Sequence, residues 1–498
     1  INQSSGQGAL FELIARGVKD NYFVKDDKNS IFPYDASYGS SMPHLAERRT
    51  TVPITRTDFG RTFEVEIDAY GDIMTECAFE IDLPSWLPPM ALTQSLLQPL
   101  DPSIVNNLYP ITAADGASYG YTNGVGYFLF ESIQFYQDQF LLQEWSGDML
   151  YAKQLTEGSY GSAGLAQQSA GVSAEIGSTE RSIQMRATPG HLRIYLPLPG
   201  MQCPGDPGFP LTALPYQTFR IKATLRKLED LVVCSNPAII KPAPWSQPSF
   251  QVAYPTGTQT VVPLTRLQIG QPTILLSTVQ HYISSEDQAL LRSKPIQIPF
   301  RKQFENVFTF GELDYIPLDK GGQAVVTRYI DGRHPAERLF WFFRNYNALD
   351  QNRLDVMYND YFDQGAHYPT ETQPYTTPYG SFYYSIKLNI AGKEREDPYN
   401  GSVWNQLVPF AKQERYSENI GSMCWSTGDN YGKVYPASRS PEGTVNFSTA
   451  DRPTLHVQLA NIMPNARLSQ RKSEFRVIVE SWNMYYVADG RGRLGFAS

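Results

Sequence analysis

At 498 residues and a formal charge of −8, with no run of Lys or Arg at either end, the chain lacks the electrostatic footprint of a nucleic-acid binder. Aromatic residues make up 13% and charged ones 18%, a balance that excludes a disordered chain and favours strands, where aromatic side chains fit a half-buried pleat. The length fits two domains of roughly 200 to 250 residues. No apolar run reaches the roughly 18 residues of a membrane span. Four scattered cysteines (Cys77, Cys203, Cys234, Cys424) and an opening without a basic or apolar leader region point to a soluble protein made in a cytosol.

Near the start, Leu10, Leu13, Ile14 and Val18 recur at helical spacing, which predicts a short amphipathic helix over Ala9 to Lys19 whose apolar side needs a partner. From Thr51 the pattern turns to β. Phe63 to Asp68 alternates apolar and acidic residues, Ala69 to Asp72 supplies a turn, and Ala78 to Leu83 alternates again, which reads as a hairpin with one wet face. Tyr127 to Tyr136, Leu192 to Leu198 and Thr218 to Leu225 follow as strands. The Gly/Ser/Ala/Gln-rich stretch Thr156 to Ser182 reads as a surface loop, because it offers little to a core. Asn236 to Phe250 carries Pro237, Pro242, Pro244 and Pro248, a stiff stretch suited to joining two domains. Beyond it, strands are expected at Gln251 to Ala253, Val261 to Ile269, Ile296 to Phe300, Val307 to Phe310, Ala324 to Tyr329, Leu339 to Phe343, Ser381 to Ile390, Thr454 to Leu459 and Phe475 to Val487. Short, irregularly spaced strands with Gly/Pro turns match a jelly-roll sandwich in each half.

Signs of catalysis are weak. Glu64, Glu66 and Asp68 lie at period two, the spacing of a solvated strand face and not of a facing carboxylate pair. Gly490, Gly492 and Gly495 spell G-x-G-x-x-G, but a dinucleotide site needs a helix and a βαβ unit to follow, and three residues remain. The histidines His44, His191, His281, His334, His367 and His456 are too scattered for ligand pairs, and calcium loops and nucleophile elbows are missing. Sequons at Asn2, Asn400 and Asn446 have no use in a cytosolic chain. No catalytic residue, cofactor or metal is expected.

The stretch Gly8 to Asp20 resembles the opening of the major capsid proteins of large nucleocytoplasmic DNA viruses, whose first helix has the form G-L-x-x-L-V-A-x-G-x-x-D. Phe32-Pro-Tyr34, Arg48-Arg49, Asp58-Phe-Gly60, Gly71-Asp72 and Ile81 to Pro84 are similar to the segments that follow in that family. Leu196 to Pro199 and Phe209 to Tyr216 resemble its segment before the last strand of the first jelly roll, although Pro199 to Cys203 stands where aromatics belong. Gln143 to Trp145 and Ala336 to Phe343 resemble its tryptophan-bearing stretches. The C-terminal part agrees best: Gly443 to Ser448, Asp451, Thr454-Leu455, Trp482 to Tyr486 and Gly490 to Ser498. The matches are collinear over nearly the whole chain.

The resemblance implies an all-β double jelly roll: two consecutive eight-stranded jelly rolls with short helices in loops and at the N-terminus. The expected division is an N-terminal arm over 1–24, a first jelly roll over 25–235, a linker over 236–250 and a second jelly roll over 251–498. It also implies a homotrimeric, pseudo-hexagonal capsomer in an icosahedral virion shell around an inner membrane, assembled in a host cytoplasm. The partners would be neighbouring capsomers, minor capsid and penton proteins and the membrane layer, with no direct nucleic acid. Candidate assembly contacts are Leu10, Leu13, Ile14 and Val18 on the helix, and Tyr358, Tyr361, Tyr375, Tyr379, Tyr383 and Tyr384 in loops more aromatic than solvent requires. The alternatives are a carbohydrate-binding or carbohydrate-active pair of sandwiches and a receptor-binding virion fibre.

Overall fold

The computed structural model describes residues 46–84, 111–113, 118–156, 191–202, 206–234, 239–243, 250–253, 259–262, 270–311, 314, 325–355, 383–390, 392–394, 396–412, 420–425, 443–448, 453–459 and 473–496. The predicted helix over Ala9 to Lys19, with Leu10, Leu13, Ile14 and Val18, lies outside these residues. So do Tyr358, Tyr361, Tyr375 and Tyr379, and the Gly/Ser-rich stretch beyond Thr156.

The first sandwich pairs two sheets. One runs β1 (Ala46–Pro53), β13 (Thr273–Tyr282), β3 (Ile73–Asp82), β8 (His191–Tyr195); the other runs β2 (Thr62–Glu66), β9 (Phe219–Leu225), β6 (Phe130–Gln137), β7 (Phe140–Trp145). Taken as eight strands in chain order, these are the orders 1-8-3-6 and 2-7-4-5. The second sandwich repeats them. Its sheets run β14 (Ile296–Phe310), β22 (Ser473–Ala488), β16 (Pro335–Asn345), β19 (Gly421–Cys424) and β15 (Val326–Tyr329), β21 (Thr454–Leu459), β17 (Tyr383–Ile390), β18 (Lys393–Glu394). All pairs are antiparallel. Two short strands extend the second sandwich: β20 (Val445–Asn446) on β16 and β23 (Arg491–Leu494) on β22. An eight-stranded sandwich whose last strand returns between its first and third is a jelly roll, so the chain holds two of them. A smaller sheet is made by β10 (Val232–Cys234), β5 (Ser118–Tyr121), β4 (Ile111–Ala113), β11 (Phe250–Ala253) and β12 (Gln259–Val262), all within connections of the first roll.

Alternating side chains explain the cores. In β9, Phe219, Ile221, Ala223 and Leu225 are buried while the residues between them are half-buried, and in β21 Leu455, Val457 and Leu459 do the same. Phe79 of one sheet stacks on Phe130 of the other with ring centroids 5.2 Å apart, and Phe343 stacks on Phe475 at 4.4 Å in the second roll. Each such ring contributes about 1.5–3 kcal/mol by leaving water.

Two expectations change. The segments around Phe63 and Phe79 are not a hairpin: β2 pairs with β9 and β3 with β13 and β8, so the Ala69–Asp72 turn crosses from one sheet to the other. And β13, which completes the first sheet, lies beyond the proline-rich stretch 236–250. That stretch therefore falls inside the connection from β9 to β13, and the rolls are joined instead between β13 and β14. The joint is a helix over Ser285–Ser293 with no buried residue, capped by Ser284, whose hydroxyl accepts from the Asp287 amide at 3.1 Å.

Candidate functional site

The sheet β14-β22-β16-β19 is buried on both faces. On β16, Leu339, Trp341 and Phe343 point into the second core, while Phe340 and Phe342 point into the first; on β22, Phe475, Val477 and Val479 go one way and Ile478 the other. The face turned to the first roll also carries charge, since Arg338 and Arg344 flank the two phenylalanines and Arg476 and Glu480 flank Ile478. What covers it is α1 (Gly147–Thr156), the helix that follows β7 in the first roll. Gly147 begins it because a side chain there would meet the Tyr127 carbonyl oxygen at 2.1 Å. Seven consecutive residues, Gly147 to Lys153, are buried, because one side of the helix meets its own roll and the other meets the second.

The resulting seam holds two ionic clusters. In the first, the Asp148 carboxylate is fully buried and faces three guanidiniums: Arg344 Nη2 at 2.7 Å, Arg476 Nη1 at 3.4 Å, and Arg226 in direct contact. Arg476 also meets Glu305 at 2.7 Å and Glu474, so three cations balance three anions. In the second, Glu480 accepts from Lys153 Nζ and Gln303 Nε2, each at 3.1 Å, and lies 3.4 Å from Arg338 Nε and 3.7 Å from Arg301 Nε. Arg301 donates from Nε to Glu337 at 2.7 Å, and its guanidinium lies 4.2 Å from the ring centre of Trp482. Glu337 reaches this spot because it is the extra residue of a bulge between Ala336 and Arg338. Every one of these charges has an opposite partner within 3.4 Å.

Burial alone would raise the Asp148 carboxyl, but the guanidiniums of Arg476, Arg226 and Arg344 outweigh it and hold the group far below the usual carboxylate range. Burial pulls Arg476 down while Asp148, Glu474 and Glu305 pull it further up, so it stays charged. Desolvating this many ions consumes most of their attraction, so the seam adds far less to stability than its number of ion pairs suggests. At the far end Tyr485 donates from its hydroxyl to Gln137 Oε1 at 2.7 Å, and Gln137 donates to the Gly492 carbonyl at 2.7 Å, linking the rolls again.

The remaining expectations fall as follows. Glu64 and Glu66 are exposed on β2, with Arg220 3.6 Å from Glu64, and Asp68 is exposed beyond the strand. Gly490 and Gly492 belong to the hairpin of β22 and β23; Asp489 and Gly490, at φ of 54° and 74°, form its two-residue turn. Tyr383 is 1% exposed and its hydroxyl donates to Asn405 Oδ1 at 3.1 Å, so it is a core residue and presents no surface for assembly. Tyr384 is half-buried against the second core. Among the described residues, no group of three His, Cys, Asp or Glu side chains is placed to hold a metal, and no helix is long and apolar enough to cross a membrane. Sequence reading missed the seam. Its signal is on β22, where Ile478 and Trp482 share a strand face with Arg476 and Glu480: apolar residues on a face that solvent alone would keep polar.

No family model matches the chain, and no curated protein matches it. Among solved structures, the PBCV-1 virus capsid in its quasi-atomic model is 14% identical, covers 92% of this chain and 98% of its own, and superposes with a TM-score of 0.60. PBCV-1 Vp54, fitted into a reconstruction of the virophage Sputnik, gives 15%, the same coverage and 0.61. The Faustovirus major capsid protein gives 12% identity, 92% of each chain and 0.57. At such identities the likeness is one of fold, and the fold is the double jelly roll of these capsid proteins.

Proposed function

We propose, from a fold shared end to end with double jelly-roll capsid proteins, that this chain is the major structural subunit of a virus shell. The observation that carries the reading is the duplicated strand order, two rolls of one topology in contact through a buried ionic seam. A sheet buried on both faces and a buried network of paired charges suit a rigid subunit, which tiling a shell needs. In this reading three copies join so that six rolls form a pseudo-hexagonal block, and blocks tile an icosahedral shell over an inner membrane, with minor capsid and penton proteins at the joints. The subunit is assembled into virions in a host cytoplasm. Its acidic balance suits a shell with no phosphates to neutralise.

Native mass spectrometry and electron microscopy of the purified protein test this. Trimers, seen as hexagonal blocks about 70 to 80 Å across from the spacing of packed sheets, are expected. A monodisperse monomer at micromolar concentration, unchanged by pH and salt, would overturn the reading.

A further inference from the structure

The second core ends in a polar corner that the seam does not use. On the core-facing side of β14 and β22 the apolar series stops at Phe304 and Val479, and the next register pair on that side is Lys302 with Ser481. Both are buried, at 8% and 0% exposed. His334 closes the corner from the 331–334 loop. It is 4% exposed, its ring stacks on Phe496 with centres 5.5 Å apart, and it lies 5.9 Å from the ring of Phe304. The Lys302 ammonium lies 5.8 Å from the same Phe304 ring. Arg333, next to His334, is exposed at the rim.

The backbone around this corner is fixed. His334 has a φ of 67°, strained for a residue other than glycine, and is held there because its amide donates to the Ser448 hydroxyl at 2.8 Å and its carbonyl accepts from the Phe447 amide at 3.0 Å. Phe496 is clamped by Asn483, whose Oδ1 accepts from its amide at 3.2 Å and whose Nδ2 donates to its carbonyl at 3.3 Å. The side-chain atoms turned inward are not matched in the same way. Among the described residues, Ser481 Oγ and His334 Nε2 take part in no hydrogen bond, and Lys302, Arg333 and His334 form no ion pair. Around Asp148 three cations meet three anions; here cationic groups gather with no anion of their own. Burial and the Arg333 charge lower the pKa of Lys302, and burial, Lys302 and Arg333 lower that of His334. A buried ammonium without a counter-charge is among the costliest groups a protein keeps.

We propose that this corner binds one small tetrahedral oxyanion, of the phosphate or sulfate type, which accepts hydrogen bonds from Lys302 Nζ, Ser481 Oγ and His334 Nε2 while Arg333 closes the mouth. One such anion accepts from all of these donors at once, and in a desolvated corner charge-assisted bonds of this kind are strong. Its ligands come from β14, β22 and the 331–334 loop, so a bound anion ties three separate stretches of the second roll together. A free oxyanion and a phosphomonoester share this chemistry, and the exposed rim of Arg333 and Phe496 gives either a way in.

Isothermal titration calorimetry of the full chain, dialysed free of oxyanions and held at constant ionic strength, tests this with sodium sulfate, sodium phosphate and glycerol phosphate. One saturable site per chain is expected for sulfate and phosphate, with a Kd of about 1 mM or tighter. Whether glycerol phosphate binds as well tells a free ion from a phosphoester, and both results uphold the site. Lys302→Met keeps the stem over Phe304 and removes the charge. Its sulfate affinity is expected to fall at least about tenfold, while its melting temperature in sulfate-free buffer rises, because a buried unpaired cation is gone. Arg333→Ala alters only an exposed side chain, so it decides the matter should Lys302→Met misfold; a loss of about threefold or more is expected from the missing charge at the mouth. A wild type without a saturable site, or variants that bind sulfate as the wild type does, would overturn the site. The shell reading, which stands on the fold, is untouched by either result.

Discussion

Asp148 shows what a single buried charge does in this molecule. Its carboxylate answers Arg226, Arg344 and Arg476, and removing it leaves three buried or half-buried guanidiniums with only Glu474 and Glu305, which meet Arg344 and Arg476, to offset them. Asp148→Ala is therefore expected to destabilise the chain by about 3–5 kcal/mol, the usual cost of breaking a buried ionic group, read as a lower urea midpoint. The pH dependence has a definite sign. A carboxyl whose folded pKa is depressed contributes stability that is complete above its unfolded pKa of about 4 and is lost as pH falls below it. Between pH 5 and about pH 2.5 the wild type should lose stability faster than Asp148→Asn, so that the gap between their urea midpoints narrows; a constant gap would show that Asp148 does not carry the effect. At this scale the sequence was partly legible. The exposed strand face of Glu64 and Glu66 followed from period two alone. Tyr383 did not, because a tyrosine next to a turn-rich stretch looks the same whether its ring lies in a loop or enters a core to meet Asn405.

Strand elements were legible where one face is wet and obscure where both are buried. Thr454–Leu459 was found to the residue because β21 alternates cleanly. By contrast β13, Thr273–Tyr282, is central in its sheet and mixes Ser, Thr, Gln and His with leucines, so it shows no period of two and was passed over. β14 was read as two strands because Arg301, Lys302 and Gln303 interrupt its apolar pattern; the interruption is the seam itself, and the strand continues through it for 15 residues. The hairpin of β22 and β23 gives a test of an element. A side chain at Gly492 would lie 2.0 Å from the Tyr485 hydroxyl and 2.5 Å from its ring, so Gly492→Ala has to displace a buried tyrosine. We expect a loss of about 1–3 kcal/mol, as for other overpacked sites, seen as a lower melting temperature, and a smaller loss for Gly490→Ala, where the positive φ is the main penalty.

For the whole molecule, the joint between the rolls can be located by cutting it. A protease site placed after Ser293 leaves every paired strand of the first roll in one fragment and every paired strand of the second in the other. The nicked protein is expected to stay together under native conditions through the seam and to separate in urea. A site placed at Pro244 instead removes β13 from the sheet it completes, and that fragment of the first roll should melt or aggregate. Equal behaviour of the two cuts would mean that the proline-rich stretch is the real hinge. The two-roll architecture was visible from composition, turn spacing and resemblance, but the boundary was not, since a jelly roll takes its last strand from far along the chain and proline content is blind to that.

That late strand also orders events at the ribosome. The central position in each main sheet is filled last: β13 closes the first roll, and β22, beginning at Ser473, slots between β14 and β16, which until then have no bond to one another. During synthesis the first roll can finish while the second is still an open frame, with Arg338 waiting for the Glu480 that has yet to be translated. A chain interrupted anywhere before β22 is left with unpaired strand edges and uncompensated arginines, the features that chaperones and proteases recognise. The second roll thus becomes rigid only at the end of synthesis, when its closing strand has been made.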